Sequence, residues 1–376
     1  MIHQRSGGSR RRTAPAADFK NHAVRKGGGI TLMDPTIKIV RCAEPGRLLF
    51  EERPAPGSPP EGWALVNVAH VGICGTDYHI FEGKHPFLAY PRVMGHEVSG
   101  TVAAINATGV IAVGDQVLIN PYLACAKCSA CRQGKQNCCV AIEVLGVHRD
   151  GAMSEQILVP AQNLIPATGL SLVEAATVEF LAIGAHAVRR SMAGPGNRAL
   201  VVGAGPIGLG TALFARIARQ SVTVMDVDTE RLAFATQLGF LTIDGSKGSI
   251  VETIAERTAK TGFDVVFDAT GNSRSMQSAF AYVAHGGVMV MVSVVQDDIT
   301  FSDPEFHKRE MMLIGSRNAT HSDFQHVIAS IRAGKIPIDQ LVTHRTTLRH
   351  SPRDIAIWAR QKSGLIKAVI DVAGSS

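Results

Sequence analysis

A chain of 376 residues exceeds what one ordinary core supports and points to two domains, and its 45% apolar content allows a packed interior. No stretch reaches the roughly 18 uninterrupted apolar residues of a membrane span. The formal charge of +6 comes from residues 1–32, where Arg5, Arg10, Arg11, Arg12, Lys20, Arg25 and Lys26 face the single acid Asp18. The rest of the chain balances its charges, which removes any overall pull toward nucleic acid.

Residues 1–32 are rich in Arg, Gly and Ser and lack the apolar run of a secretory signal. They read as a disordered basic leader, or as sequence ahead of a start at Met33. The protein is expected in the cytoplasm. From Thr36 to about Pro160 the chain reads as short strands broken by Gly and Pro, among them Trp63–Val71, Glu97–Ile105 and Asp115–Asn120. Leu172–Ala187 has helical apolar spacing. Beyond Gly194 strands and helices alternate. Leu200–Val202, Val222–Met225, Phe263–Phe267 and Val288–Val292 are predicted strands, and Pro206–Ala218, Thr229–Leu238 and Ser275–Ala284 predicted helices. Such alternation means βαβ units and a parallel sheet. A helix follows from about Asp323, and a last strand, Ala368–Val372, is expected to return to the first domain.

Three groups of residues carry chemistry. Gly203-Ala-Gly205-Pro206-Ile207-Gly208 follows a predicted strand and opens a helix, the context in which such glycines cradle a diphosphate against the positive helix end. Asp226 ends the next strand 23 residues after Gly203, where a carboxylate accepts ribose hydroxyls and repels a 2′-phosphate, favouring NAD over NADP. Arg231, on the following helix, completes the expected cofactor-binding set.

Cys125, Cys128, Cys131 and Cys139 crowd into 15 residues. Four thiolates at this spacing close a tetrahedral zinc site with no open position, which is structural. Cys138 competes with Cys139 as the fourth ligand.

The third group is scattered: Cys74, His96, Glu97 and Glu179. Each residue alone is weak evidence, but the mixture of sulfur, nitrogen and oxygen donors suits a catalytic metal with an exchangeable position. Thr76 can take the proton of an alcohol beside such a metal, and His79 can carry it toward solvent. Asp77 is placed to orient His96.

Together these residues resemble the medium-chain dehydrogenase/reductase family, in its zinc-containing alcohol, polyol and threonine dehydrogenase branch. The signatures occur in family order: Gly72–Asp77, Gly95–Glu97 with Gly100 and Gly114-Asp115, the cysteine lobe, the dinucleotide fingerprint, and Asp268-Ala-Thr-Gly271. The flavour is that of sugar-acid and polyol enzymes. The resemblance implies an α/β fold, with a GroES-like β-barrel catalytic domain over residues 33–188 and 324–376. Its structural-zinc lobe spans about 121–140, and an inserted Rossmann domain with a doubly wound parallel sheet spans 189–323. It also implies two Zn2+ ions per chain and NAD. Cys74 and His96 become catalytic zinc ligands, Glu97 a ligand that swings on and off, and Glu179 the acidic ligand or water holder. Thr76 and His79 become the proton relay, and Cys139 is favoured over Cys138. Phe180 stands where the family usually has proline. The expected partner is a small alcohol, with no nucleic acid and no membrane, in a homodimer or homotetramer. A zinc-free NADPH reductase on the same fold is opposed by the cysteines and Asp226. A non-catalytic NAD- and zinc-binding sensor is opposed by Thr76 and His79.

Overall fold

The computed structural model describes residues 35–85, 88–361 and 363–375, and the expectations for residues 1–32 lie outside them. Among the described residues no helix is long and apolar enough to cross a membrane.

Two large sheets organise the chain. The first is built around Trp63–Ile73, in which Ala64, Val66, Val68 and Val71 are buried. Along one edge this strand pairs antiparallel with Glu97–Asn106, which continues to Gln116–Ile119 and Leu164–Pro166. Two short strands share the other edge: Gln156–Pro160 pairs near its start and Lys367–Asp371 near its end. Val342–Thr347 extends the sheet beyond Lys367–Asp371. The predicted C-terminal strand therefore does return to the first sheet. Its register sets Gly72 opposite Glu97 on one side, and Ile73 opposite Ala368 on the other.

The second sheet has six parallel strands in the order Leu241–Asp244, Ser221–Asp226, Arg198–Val202, Phe263–Asp268, Val283–Met291, Met312–Gly315. The reversal of order at Arg198–Val202 is that of a doubly wound nucleotide-binding sheet. Alternation along these strands feeds two cores. Ala199, Val201, Val224, Val265 and Val290 pack with the helices Val178–Ser191, Pro206–Ile217 and His321–Arg332. Leu200, Val202, Met225, Val266 and Met289 pack on the other face with Ile254, Ala279 and Phe280. Burial on both faces is what a parallel sheet requires and explains why its strands read as continuous apolar runs.

The structure corrects three sequence expectations. The predicted helix Leu172–Ala187 is two helices, Leu172–Ala176 and Val178–Ser191. The Thr177 hydroxyl donates to the Glu174 carbonyl at 2.7 Å, a local bond that competes with the helical ladder and closes the first piece. The predicted helix Ser275–Ala284 ends at Ala279, and Val283 already opens a strand. The stretch read as strands and loops contains a helix, Gly75–Phe81, which carries Thr76, Asp77 and His79.

Candidate active site

Cys74, His96 and Glu97 come together, each offering a ligand atom within 4.8 Å of the others. The backbone explains how. Cys74 is the N-cap of Gly75–Phe81, and Asp77 closes its first turn. The buried Asp77 carboxylate accepts from the Cys74 amide at 2.9 Å and from the Gly95 amide at 3.2 Å. It therefore fixes the two loops that present Cys74 and His96. Asp77 thus bonds backbone on both sides, including the residue that precedes His96. Gly95 has φ +93°, and any β-carbon there would press on Val71 at 2.8 Å. At Gly72 a β-carbon would lie 2.1 Å from a Glu97 carboxylate oxygen, so only glycine leaves room for that carboxylate.

Acidic groups and one buried lysine crowd this cluster. Burial opposes a charged imidazole, yet Cys74, Asp77 and Glu179 outweigh it and hold His96 well above its ordinary value. Burial raises Asp77, and it raises Glu179. His96 Nδ1 is buried with no hydrogen-bond partner among the described residues. A thiol, an imidazole and a carboxylate converging at a buried point are a donor set that fits zinc.

Thr76 Oγ1 lies 4.0 Å from Cys74 Sγ, and His79 is exposed one turn further along the same helix. Glu179 stands outside the three-residue cluster. It begins the helix Val178–Ser191, and one of its oxygens accepts a hydrogen bond from the Tyr122 hydroxyl. Its charge couples to His96, Glu97 and Lys367, which places it at the edge of the same buried group.

Lys367 and Tyr122 were missed in the sequence. The Lys367 ammonium is 1% exposed. It donates to both Glu97 oxygens at 2.7 and 2.8 Å and to the Ile73 carbonyl at 3.1 Å. It also sits 4.3 Å from the centre of the Phe180 ring, so the residue that departs from the family proline supplies an aromatic face to a buried cation. One signal was available: Lys367 interrupts the apolar run Leu365–Val372.

Cys125, Cys128, Cys131 and Cys139 form a second cluster, their sulfurs all within 4.8 Å of one another. Tetrahedral Zn–S bonds of about 2.3 Å put sulfurs about 3.8 Å apart, so the group fits zinc. Cys128 caps the short helix Ser129–Arg132, which brings Cys131 back one turn later. The amides of Cys131 and Val140 pull the Cys128 thiol down to about 6, favouring the thiolate that zinc needs. Cys138 is exposed and stands outside the group. Cys128→Ser is expected to release about half of the bound zinc and lower the melting temperature, while the protein that stays folded keeps its turnover number. Full thermal stability with lost turnover would reverse these roles.

At the dinucleotide fingerprint, Gly203 has φ +98°, and a β-carbon at Gly208 would fall 1.7 Å from the Gly203 carbonyl oxygen. At Gly205 the nearest atom to such a carbon is Arg231 Nη1, at 3.8 Å, so this position leaves space for a ligand. Gly205 caps the helix that Pro206 opens and Ile207 continues. One Asp226 oxygen accepts from the Ala204 amide at 2.6 Å and lies 3.9 Å from Arg231 Nη1. The fingerprint, the acid and Arg231 are therefore contiguous.

Comparisons with known proteins agree with this geometry. Residues 60–169 match the family described as alcohol dehydrogenase GroES-like domain, and residues 206–333 match zinc-binding dehydrogenase. The chain is 41% identical to L-galactonate-5-dehydrogenase of Escherichia coli over 82% of its own length and 92% of the relative's. A solved alcohol dehydrogenase of Escherichia coli, in complex with NADH, superposes with a TM-score of 0.84 at 28% identity, over 90% of this chain and 99% of that one. A Sinorhizobium meliloti protein solved with NADP gives 0.83 at 28%, over 90% and 100%. The chain belongs to the zinc-containing medium-chain dehydrogenases: a GroES-like and Rossmann-type α/β oxidoreductase of CH–OH groups that works with zinc and a nicotinamide cofactor.

Proposed function

We propose that the protein oxidises a secondary alcohol of a sugar acid or polyol, with NAD as hydride acceptor, at the cluster of Cys74, His96 and Glu97. The observation that carries this reading is the convergence of a thiol, an imidazole and a carboxylate, each with a ligand atom within 4.8 Å of the others. The substrate class follows the 41% identity to a sugar-acid dehydrogenase.

In this reading Cys74 and His96 hold the catalytic zinc, with Glu97 and Glu179 as alternating oxygen ligands, and the four-cysteine lobe holds a structural ion. When bound, zinc supplies Lewis acidity that lets an alcohol release its proton near neutral pH, and the nicotinamide ring takes the hydride. The Thr76 hydroxyl accepts the substrate proton, and His79, exposed on the same helix, hands it to water. Tyr122 orients the Glu179 carboxylate. Asp226 accepts the ribose hydroxyls and repels a 2′-phosphate, and Arg231 balances its charge from one side.

The catalytic part comprises residues 33–188 and 324–376, and the nucleotide part 189–323. Among the described residues no two cysteines are joined in a disulfide, which suits the cytoplasm. The strand Met312–Gly315 is an edge of its sheet and exposes Met312 and Leu313, which suits a homodimer or homotetramer.

The test is purified enzyme with NAD or NADP against L-galactonate, other aldonates, polyols, threonine and simple alcohols, following reduced-nicotinamide absorbance. NAD reduction with an aldonate or polyol is expected to give the highest kcat/KM. Turnover confined to NADP, or to simple primary alcohols, would overturn the reading.

A further inference from the structure

A second cavity, of about 620 Å3, lies where the cysteine lobe, the C-terminal half of Val178–Ser191 and the start of His321–Arg332 meet. None of its lining residues is acidic, and Lys135, Arg189, Arg190 and Arg317 contribute four permanent cations. We propose that this cavity binds a small multivalent oxyanion, a phosphate or a polycarboxylate.

The local charge balance supports this. Asp323, one residue beyond the lining Ser322, is 2% exposed. It accepts two bonds from Arg189, at 2.7 and 2.9 Å, one involving His186 at 2.8 Å, and others from Thr320. Burial opposes its charge, but these bonds outweigh burial and hold it well below the ordinary carboxylate range. Asp323 is thus an anion committed to Arg189 and the helix cap. Arg190 spends one N–H on the neutral Gly315 carbonyl at 3.2 Å. Among the described residues no carboxylate pairs with Lys135, Arg190 or Arg317. Beyond residues 1–32 the chain carries no net charge, so three unbalanced cations around one cavity are a local excess. Like charges held within a Debye length repel, and a ligand of opposite sign removes that cost.

The walls are also braced. Asn137, 4% exposed, donates to the Arg317 carbonyl at 2.9 Å, contacts His186 Nε2 at 3.2 Å and accepts from Asn318 at 3.4 Å. The cysteine lobe, the helix and the strand end are thereby tied together before any ligand arrives, so less ordering is needed on binding. Guanidinium forks match the oxygens of phosphate and carboxylate alike.

The experiment is calorimetry on zinc-loaded, full-length protein at saturating NAD, which fills the dinucleotide site, and at constant ionic strength. Inorganic phosphate, tricarballylate and acetate are the probes. Phosphate or tricarballylate is expected to bind at one site at least about tenfold more tightly than acetate. The preferred probe identifies the acid group. Arg190→Gln with Arg317→Gln should weaken that binding about tenfold or more, and Lys135→Gln, on a separate element, should weaken it as well. Thermal melts confirm that each variant is folded. Occupancy should also slow alkylation of the exposed Cys138, which lines the cavity, as read by peptide mass spectrometry. Absence of binding at millimolar probe, or equal affinity in wild type and folded variants, overturns the proposal.

Discussion

His96→Ala is expected to abolish turnover, lowering kcat/KM by roughly three orders of magnitude or more, and to empty the catalytic zinc position while the cysteine lobe keeps its ion. The imidazole is one of three donors in the cluster. Removing it leaves the Cys74 thiol, a Glu97 carboxylate already held by Lys367 at 2.7 and 2.8 Å, and Glu179, which stands outside the cluster. With one oxygen ligand committed to a lysine and the other outside the cluster, what remains binds poorly an ion that takes three protein ligands in its catalytic form. Cys74→Ser should behave alike, since a serine hydroxyl stays protonated where a thiol ionises. The measurements are zinc content by elemental analysis beside steady-state rates. Full zinc content at near-normal rate would move the active site elsewhere.

Lys367→Met is expected to destabilise the fold by about 3–5 kcal/mol, because it strands the Glu97 carboxylate, 0% exposed, without its cation. Methionine fills most of the volume, so packing over Phe180 changes little and the effect is chiefly electrostatic. A second substitution separates the causes. Glu97→Gln added to Lys367→Met removes the stranded charge and should restore most of the lost stability, a coupling that a pure packing loss would not show. Denaturation midpoints of the wild type, the two single variants and the double variant decide the matter. Additive losses would mean that the buried pair contributes only volume.

How much was legible in the sequence follows from how local each feature is. The fingerprint Gly203–Gly208 is a turn whose glycine needs are set by its own backbone, and the four cysteines lie within one short lobe. Both could be read from spacing. The parallel sheet could be read because its buried strands are uninterrupted apolar runs. The helix Gly75–Phe81 was invisible because it depends on Asp77 joining its own N-cap to Gly95, a contact across 18 positions. Tyr122 and Glu179 meet across 57 positions, and Lys367 and Glu97 across 270. No periodicity reports contacts of that range. The break at Thr177, just before the helix that carries Glu179, lies where the spacing suggested one continuous helix.

The strand Lys367–Asp371 has a consequence for how the protein is made. It adds itself to an edge of Trp63–Ile73 that is synthesised some three hundred residues earlier. Until it emerges from the ribosome, the segment carrying Gly72 and Cys74 keeps unpaired amides and carbonyls, and a carboxylate destined for the interior has no counter-charge. A nascent chain at that stage presents an open strand edge, the kind of surface that chaperones shield and aggregates exploit. The buried surroundings of Cys74, His96 and Glu97 are therefore completed only when the last strand is in place, even though all three residues lie in the first hundred.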